Sequence, residues 1–190
     1  MALVKSKQYL NFMSEDTYFP VNTFGQSVVY SDFLAGYYSG FLSIMDEPSL
    51  FQASRNSNLH AYRFLWLRTF HQPVVVRLQV EEQEAGLLIA KVTDGRGGYE
   101  PGKLILNETS HLSRQAVEEF LMRLKELEFW QRPTIDESGG IGIDGAQWVL
   151  EGVQDSRYHV LSRWSPKEGD FKETSLMLLR LAKVTVEYIY

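Results

Sequence analysis

The C-terminal part of the chain constrains the fold more than any other segment. Ala146–Glu151 and Arg157–Trp164 alternate between apolar and polar residues, and the polar turn between them is typical of a β-hairpin. Ser165 and Pro166 then lead into an amphipathic run with helical spacing. Because alternation, turn chemistry and helical spacing agree, this segment predicts a β-hairpin followed by a helix.

Four more strand patterns precede this hairpin. Tyr62–Phe70, Val74–Glu81 and Leu87–Thr93 are predicted to be strands, and Leu104–Leu106 is a shorter apolar run. Several of these strands are apolar on both faces, which indicates that the sheet is covered on both sides. The order of strands and helices predicts an α+β fold with an antiparallel sheet of about six strands.

Two helices are predicted to pack on one face of this sheet, near Ser113–Trp130 and Asp170–Lys183. Ser113 suits the N-cap of the first helix, whose apolar residues form one stripe. Asp170 is predicted to cap the second helix, with Glu173 at the capping-box position. Both helices would bury their apolar stripes against the sheet.

The N-terminal segment is rich in aromatic residues and poor in charge. Residues 1–60 hold eleven of the twenty-five aromatic residues but only eight charged ones, so this segment is too apolar to be a solvated tail. A helix is predicted to begin near Ser31 and Asp32 and to end before Pro48. Its rings must be buried, either in the protein's own core or against a partner.

We expect residues 1–190 to form a single domain. An aromatic-rich N-terminal segment (1–58) would cover part of the sheet face that the two helices leave open, and residues 59–190 would form the α+β body. The net charge of −5 disfavours nucleic-acid binding, which needs a basic surface. No run of about 18 apolar residues occurs, so no membrane span is expected.

The composition also bears on the location of the protein and on the kinds of site that it can form. The first residues contain lysines but no long apolar stretch, so we expect a cytoplasmic protein; a periplasmic or secreted location would require that a signal peptide had been removed. The absence of cysteine excludes disulfides, a thiolate metal site and a cysteine nucleophile. The four histidines are scattered, so neither a metal nor a cofactor is expected. The oligomeric state is left open.

One glycine-rich stretch matches part of a phosphate-binding loop. Gly97–Lys103 has the G-x-x-x-x-G-K spacing, but Leu104 stands where a magnesium-binding Ser or Thr is needed. The residues that follow look like a strand, whereas a phosphate loop needs a helix whose N-terminal amides face the phosphates. We therefore interpret this stretch as a connection between strands.

The C-terminal hairpin supplies the first candidate site. Glu151, His159 and Arg163 are predicted to share one sheet face within cross-strand reach, and Arg77 could join them from a neighbouring strand. A carboxylate beside an imidazole can orient a general base, but a solvated sheet face pairs its charges in the same way. Because the second case is the more common, no catalytic residue is assigned. The four residues remain a candidate binding surface.

The N-terminal helix supplies the alternative binding surface. Phe33, Tyr37, Tyr38 and Phe41 recur at helical spacing. Such a stripe usually faces a core, and here it is expected to cover the sheet. Aromatic side chains also dominate protein-binding hot spots, so the same stripe could dock another protein.

Several blocks of the sequence resemble a family of uncharacterised small bacterial α+β proteins, with the likeness extending over residues 62–182. The blocks are Tyr62–Arg68, Gly97–Gly102, Asp144–Trp148, Tyr158–His159 and Arg163–Pro166. The resemblance implies a bacterial source and a shared domain. It assigns no activity and no catalytic residue.

Two functions therefore remain open. The favoured one is a non-catalytic protein-binding module of the immunity or inhibitor type. The alternative is a small hydrolase or a small-ligand-binding protein that uses the Glu151/His159/Arg163 face. A concave, partly apolar site around those three residues would favour the alternative, whereas a flat or convex patch would favour the binding module.

Overall fold

The sheet and its helices have the predicted arrangement. The computed structural model describes residues 18–25, 27–55, 58–81, 85–136 and 144–190, and within them it has six strands and four helices. The strands are β1 Ala61–Arg68, β2 Val74–Val80, β3 Gly86–Thr93, β4 Leu104–Leu112, β5 Ala146–Gln154 and β6 Arg157–Trp164. The helices are α1 Val28–Ile44, α2 Leu50–Ala53, α3 Arg114–Glu126 and α4 Asp170–Leu181. The strand order is β4-β3-β2-β1-β5-β6 and every neighbouring pair is antiparallel, which confirms the predicted fold class.

One face of the sheet, called here the α3/α4 face, packs against those two helices. Tyr62, Phe64 and Trp66 of β1 alternate towards this face and are almost completely buried. Trp148 of β5 packs beside them, with its ring centroid 5.1 Å from that of Trp66. The indole Nε1 of Trp148 donates a hydrogen bond to the backbone oxygen of Tyr190 at 3.0 Å. The chain after α4 therefore also contributes to this core.

The opposite face, called the α1 face, is covered by the N-terminal helix. Tyr38 and Phe41 of α1 and Met45, which follows it, are buried against Leu65 and Val149 of the sheet. The predicted cover on both sides of the sheet is therefore present, although residues 1–17 of the predicted covering segment lie outside the described residues. No helix among the described residues is long and apolar enough to cross a membrane.

The start of α1 differs from the prediction, whereas α3 starts where expected. Ser113 caps α3, because its Oγ accepts a hydrogen bond from the N–H of Ala116 at 3.3 Å. The first helix begins at Val28, before the predicted cap Ser31. Ser31 is instead buried inside the helix, where its Oγ accepts a hydrogen bond from the N–H of Phe24 at 2.9 Å.

The predicted capping box of α4 is wrong, because a glycine occupies the cap position. Gly169 has a φ of 99°, a left-handed value that glycine adopts at little cost. Asp170 is the first residue of the helix, and Glu173 is in its first turn. Both acidic side chains therefore act on the positive end of the helix dipole.

Candidate binding cleft

The turn of the C-terminal hairpin determines which side chains share a face. Asp155 and Ser156 have φ values of 52° and 59°, so both adopt the left-handed conformation of a two-residue type I′ turn. This turn places Gln154 opposite Arg157. Odd-numbered residues of β5 therefore face even-numbered residues of β6.

This register separates the residues of the first candidate site. Glu151 lies on the α1 face, whereas His159 is opposite Gly152 and lies on the α3/α4 face. Arg163 is opposite Trp148 and belongs to the α3/α4 face as well. The prediction that Glu151, His159 and Arg163 share one face is therefore wrong, because a shift of one residue in register reverses every side chain.

Glu151 is buried in a bidentate ion pair. Its carboxylate accepts hydrogen bonds from Arg63 Nε at 3.0 Å and from Arg63 Nη2 at 2.8 and 3.0 Å. The hydroxyl of Tyr158 donates a further hydrogen bond at 2.9 Å. Burial raises the pKa of Glu151 despite these partners. Burial would lower the pKa of Arg63, but attraction to Glu151 and to a second carboxylate, that of Glu47, raises it above its usual value.

Glu47, just after α1, links this pair to two more cations. Its carboxylate lies 2.7 Å from Arg77 Nε, 2.9 Å from Lys91 Nζ and 3.5 Å from Arg63 Nη1. Burial alone would raise the pKa of Glu47, but the positive charges of Arg63 and Arg77 and hydrogen bonds from Arg77 and Lys91 lower it below its usual value. We call these four residues, together with Glu151, the buried charge cluster. It contains Arg77 and Glu151 of the predicted site, but as interior groups.

His159 and Arg163 attach the chain after α3 to strand β6. His159 Nε2 lies 2.9 Å from the backbone oxygen of Arg132. Partial burial lowers the pKa of His159. Arg163 donates hydrogen bonds to the backbone oxygens of Thr134 at 2.7 Å and Pro133 at 2.9 Å. Both side chains therefore hold a neighbouring segment in place.

A cleft is present on the other side of this region. It has a volume of about 1000 Å³ and opens between α1, the turn at residues 97–99 and the adjoining ends of β5 and β6. Eight described aromatic side chains line it: Phe24, Tyr30, Phe33, Tyr37, Tyr38, Tyr99, Trp164 and Phe171. Predominantly apolar walls with a few polar groups are typical of binding sites.

The cleft also has polar lining residues, both uncharged and charged: Thr69, Gln147, Ser162, Ser165, Arg132, Asp136, Asp144, Arg163, Lys167, Glu168 and Asp170. Gln147 Nε2 donates a hydrogen bond to Ser162 Oγ at 2.8 Å. The hydroxyl of Tyr38 is buried beside Ser162, and burial raises its pKa well above the usual value. Among the described atoms none is in hydrogen-bond geometry with that hydroxyl. The Tyr37 hydroxyl donates to the backbone oxygen of Gly97 and so joins α1 to the turn.

The cleft brings together residues from both predicted surfaces. Phe33, Tyr37 and Tyr38 of the aromatic set line it, and so does Arg163 of the charged set. Phe41 lies deeper, in the core beneath α1. Part of this site was therefore predicted from the sequence, but as two separate surfaces.

Tyr99, Gln147 and Trp164 were not predicted from the sequence to belong to a site. A signal was present, because three blocks of the family resemblance, Gly97–Gly102, Asp144–Trp148 and Arg163–Pro166, each contribute residues to the cleft. Trp164 is opposite Gln147, so it lies on the other face of the sheet from Trp148, where it is half-buried.

The glycine-rich stretch forms one wall of the cleft. A Cβ atom at Gly97 would lie 2.5 Å from the backbone nitrogen of Arg68, and one at Gly98 would lie 2.8 Å from Thr69. These glycines therefore allow the turn to pack directly on the end of β1. Leu104 begins strand β4, so no helix follows the Gly97–Lys103 motif.

The described residues contain no group of three or more His, Cys, Asp or Glu side chains that could hold a metal ion. The sequence matches no protein-family model and no curated protein. The resemblance to small bacterial proteins therefore remains a prediction.

Proposed function

We propose that the protein is a non-catalytic binding module that recognises another protein through the aromatic cleft. It would act as a stoichiometric binder of the immunity or inhibitor type. The observation that carries this proposal is the cleft itself, in which aromatic side chains from α1, the 97–99 turn and β6 surround one concave space. Aromatic residues are enriched in binding hot spots because they bury a large area at a small cost in entropy.

An apolar surface beside the cleft supports a protein partner. Val28 and Val29, in the first turn of α1, are 56% and 80% exposed, and they precede Tyr30 and Phe33 of the cleft. Exposed apolar patches next to a groove are typical of protein-binding sites. We therefore expect the partner to place an uncharged apolar or aromatic side chain in the cleft and to rest on the first turn of α1.

The environment of the ionisable residues supports a role without catalysis. Glu151 is held in the interior by Arg63 and Tyr158, and His159 lies on the other face against the backbone of Arg132. A general base needs an orienting partner and access to substrate. Glu151 and His159 lie on opposite faces of the sheet, so neither orients the other, and Glu151 is buried away from any substrate.

The test uses peptides selected from a random phage-displayed library against the immobilised protein. Each selected peptide is titrated by calorimetry against the wild type, Phe33→Ala and Tyr99→Ala. Both side chains are more than half exposed, so their removal should leave the fold intact. We expect each substitution to weaken binding by about tenfold or more, as for hot-spot residues.

Two control variants lie outside the cleft. Met122→Ala removes an exposed apolar side chain of α3, and His159→Ala removes the histidine of the other face. Both should bind the peptides as the wild type does. Loss of binding in His159→Ala alone would move the site to that face, and failure to select any peptide would contradict a protein partner.

A small-ligand-binding role is the second candidate, because a volume of about 1000 Å³ is also within the range of small-molecule sites. A small aromatic amide that raises the melting temperature of the wild type but not of Tyr99→Ala would favour this role, since a ligand stabilises the state that it binds.

A further inference from the structure

Strand β4 is an outer strand whose only protection of the kind usual at a sheet edge is an irregularity in register near its start. Seven of its nine residues are exposed, and no described strand pairs with its outer side. Natural edge strands are commonly short or carry lysine, proline or a bulge, which prevents pairing with other chains. β4 is long, has neither lysine nor proline, and carries one acidic residue, Glu108. Its only irregularity in register lies opposite Val92 and Thr93, near its start.

The other edge of the sheet is covered in a different way. Ile135 forms a bridge with Ser162 of β6, and the N–H of Ser162 donates to the backbone oxygen of Thr134 at 2.7 Å. Arg163 fixes the same segment, because it donates to the same oxygen of Thr134 and to the backbone oxygen of Pro133. Among the described residues, the chain therefore covers the β6 edge of the sheet and places no strand beside the outer side of β4.

We propose that β4 pairs antiparallel with β4 of a second copy of this chain, about a two-fold axis at Thr109. In an antiparallel pair, directly opposite residues share a face. Asn107, Thr109 and His111 lie on the α1 face, and Leu106, Glu108, Ser110 and Leu112 lie on the α3/α4 face.

The axis at Thr109 produces compatible neighbours from Leu106 to Leu112. Thr109 faces Thr109 of the second copy, Asn107 faces His111, Glu108 faces Ser110 and Leu106 faces Leu112. Threonine pairs are favourable across antiparallel strands, and the polar pairs can form hydrogen bonds. Leu106 and Leu112 are half-buried at the edge of the core, so their pairing extends the apolar layer from one copy to the next.

The neighbouring registers are less compatible. An axis at Glu108 would place that carboxylate against the same carboxylate of the second copy and Leu106 against Ser110. An axis at Asn107 would place Leu106 against Glu108. Like charges and apolar-to-charged pairs directly opposite each other are unfavourable. Side-chain chemistry therefore selects the register about Thr109.

One pair of strands buries less surface than a standard stable interface. The dimer is therefore weak, and its population rises with protein concentration.

The test measures association by sedimentation equilibrium over a range of concentrations up to the solubility limit. Thr109→Lys and Thr109→Glu each place two like charges across the axis. Each variant alone should therefore associate more weakly than the wild type by a factor of about ten or more. An equimolar mixture of the two variants should restore association, because opposite charges then meet. Thr109 is exposed, so neither change should affect the fold, which circular dichroism verifies.

Met122→Lys is the matched control. It adds the same charge at an exposed position on α3 and should associate as the wild type does. A wild type that stays monomeric at every concentration would overturn the proposal. A dimer that is unchanged by Thr109→Lys, or one that the mixture does not restore, would overturn the register and the proposal with it.

Discussion

At the scale of single residues, the buried charge cluster carries a large cost in desolvation free energy. Arg63 and Glu151 have no exposed side-chain surface, and Glu47 is equally enclosed. Removing charges from water costs several kcal/mol per ion, and only good geometry compensates for it. Here the bidentate contact between Arg63 and Glu151 supplies that geometry, while Glu47 fastens the end of α1 to β1, β2 and β3 through Arg63, Arg77 and Lys91.

Replacing Arg63 by methionine should strongly destabilise the fold. The substitution leaves the carboxylate of Glu151 buried with Tyr158 as its only hydrogen-bond donor among the described residues. We expect the free energy of unfolding to fall by about 3–5 kcal/mol, measured by urea denaturation.

The control for this change is Arg123→Met. Arg123 forms an ion pair with Glu126 in which both side chains are more than half exposed. Such pairs contribute about 0–1 kcal/mol, so the control should remain close to the wild type. An equal decrease in the free energy of unfolding in the two variants would show that breaking the buried Arg63 pair costs no more than breaking an exposed pair.

Glu47 should make the free energy of unfolding depend on pH in the acidic range. Its folded-state pKa lies below the unfolded value of 4.5, so the folded protein is stabilised above that pH. This stabilisation is lost as the pH falls through the folded-state pKa. We expect the free energy of unfolding to decrease more steeply below pH 4.5 in the wild type than in Glu47→Gln. Glu151, whose pKa is raised, contributes with the opposite sign but does so in both proteins. Parallel curves would mean that Glu47 does not carry the effect.

At the scale of elements, two glycines show how position decides the effect of one methyl group. In β5, a Cβ at Gly152 would lie 2.7 Å from the Phe129 ring and 2.8 Å from the Tyr62 ring. In α1, a Cβ at Gly36 would meet no atom within 4 Å. The strand position is therefore required by packing, whereas the helix position is not.

The same substitution should have opposite effects at these two positions. Gly152→Ala overpacks the core beside two rings and should destabilise the protein by about 1–3 kcal/mol. Gly36→Ala should stabilise it by about 0.5–1 kcal/mol, because glycine inside a helix costs conformational entropy. Urea denaturation measures both changes. Destabilisation of similar size in both variants would refute this explanation.

The hairpin shows where prediction from the sequence stops at this scale. The alternation of β5 and β6 was sufficient to predict two strands, and Ser113 was sufficient to predict the start of α3. The register was not predictable in the same way, because Asp155 and Ser156 form a two-residue turn without the glycine that usually indicates one. One residue of turn length was enough to divide the predicted charged site between two faces.

At the scale of the whole molecule, the layered arrangement followed from composition and pattern. Strands that are apolar on both faces, as in β1, need cover on both sides, and α1 supplies the second layer. The cleft could not be predicted in this way. Its walls come from α1, the 97–99 turn and the end of β6, which are distant in sequence and meet only in the folded chain.

The sheet order also has a consequence for how the protein is made. Chains are synthesised from the N-terminus, and β1–β4 form a meander of neighbours that can pair before β5 exists. During that interval Arg63 is on β1, the edge strand of the unfinished sheet, while Glu151 is still absent. Glu47, made earlier and 3.5 Å from Arg63 in the finished protein, is already available as its counter-ion. The growing chain therefore never has to bury this arginine without a carboxylate beside it.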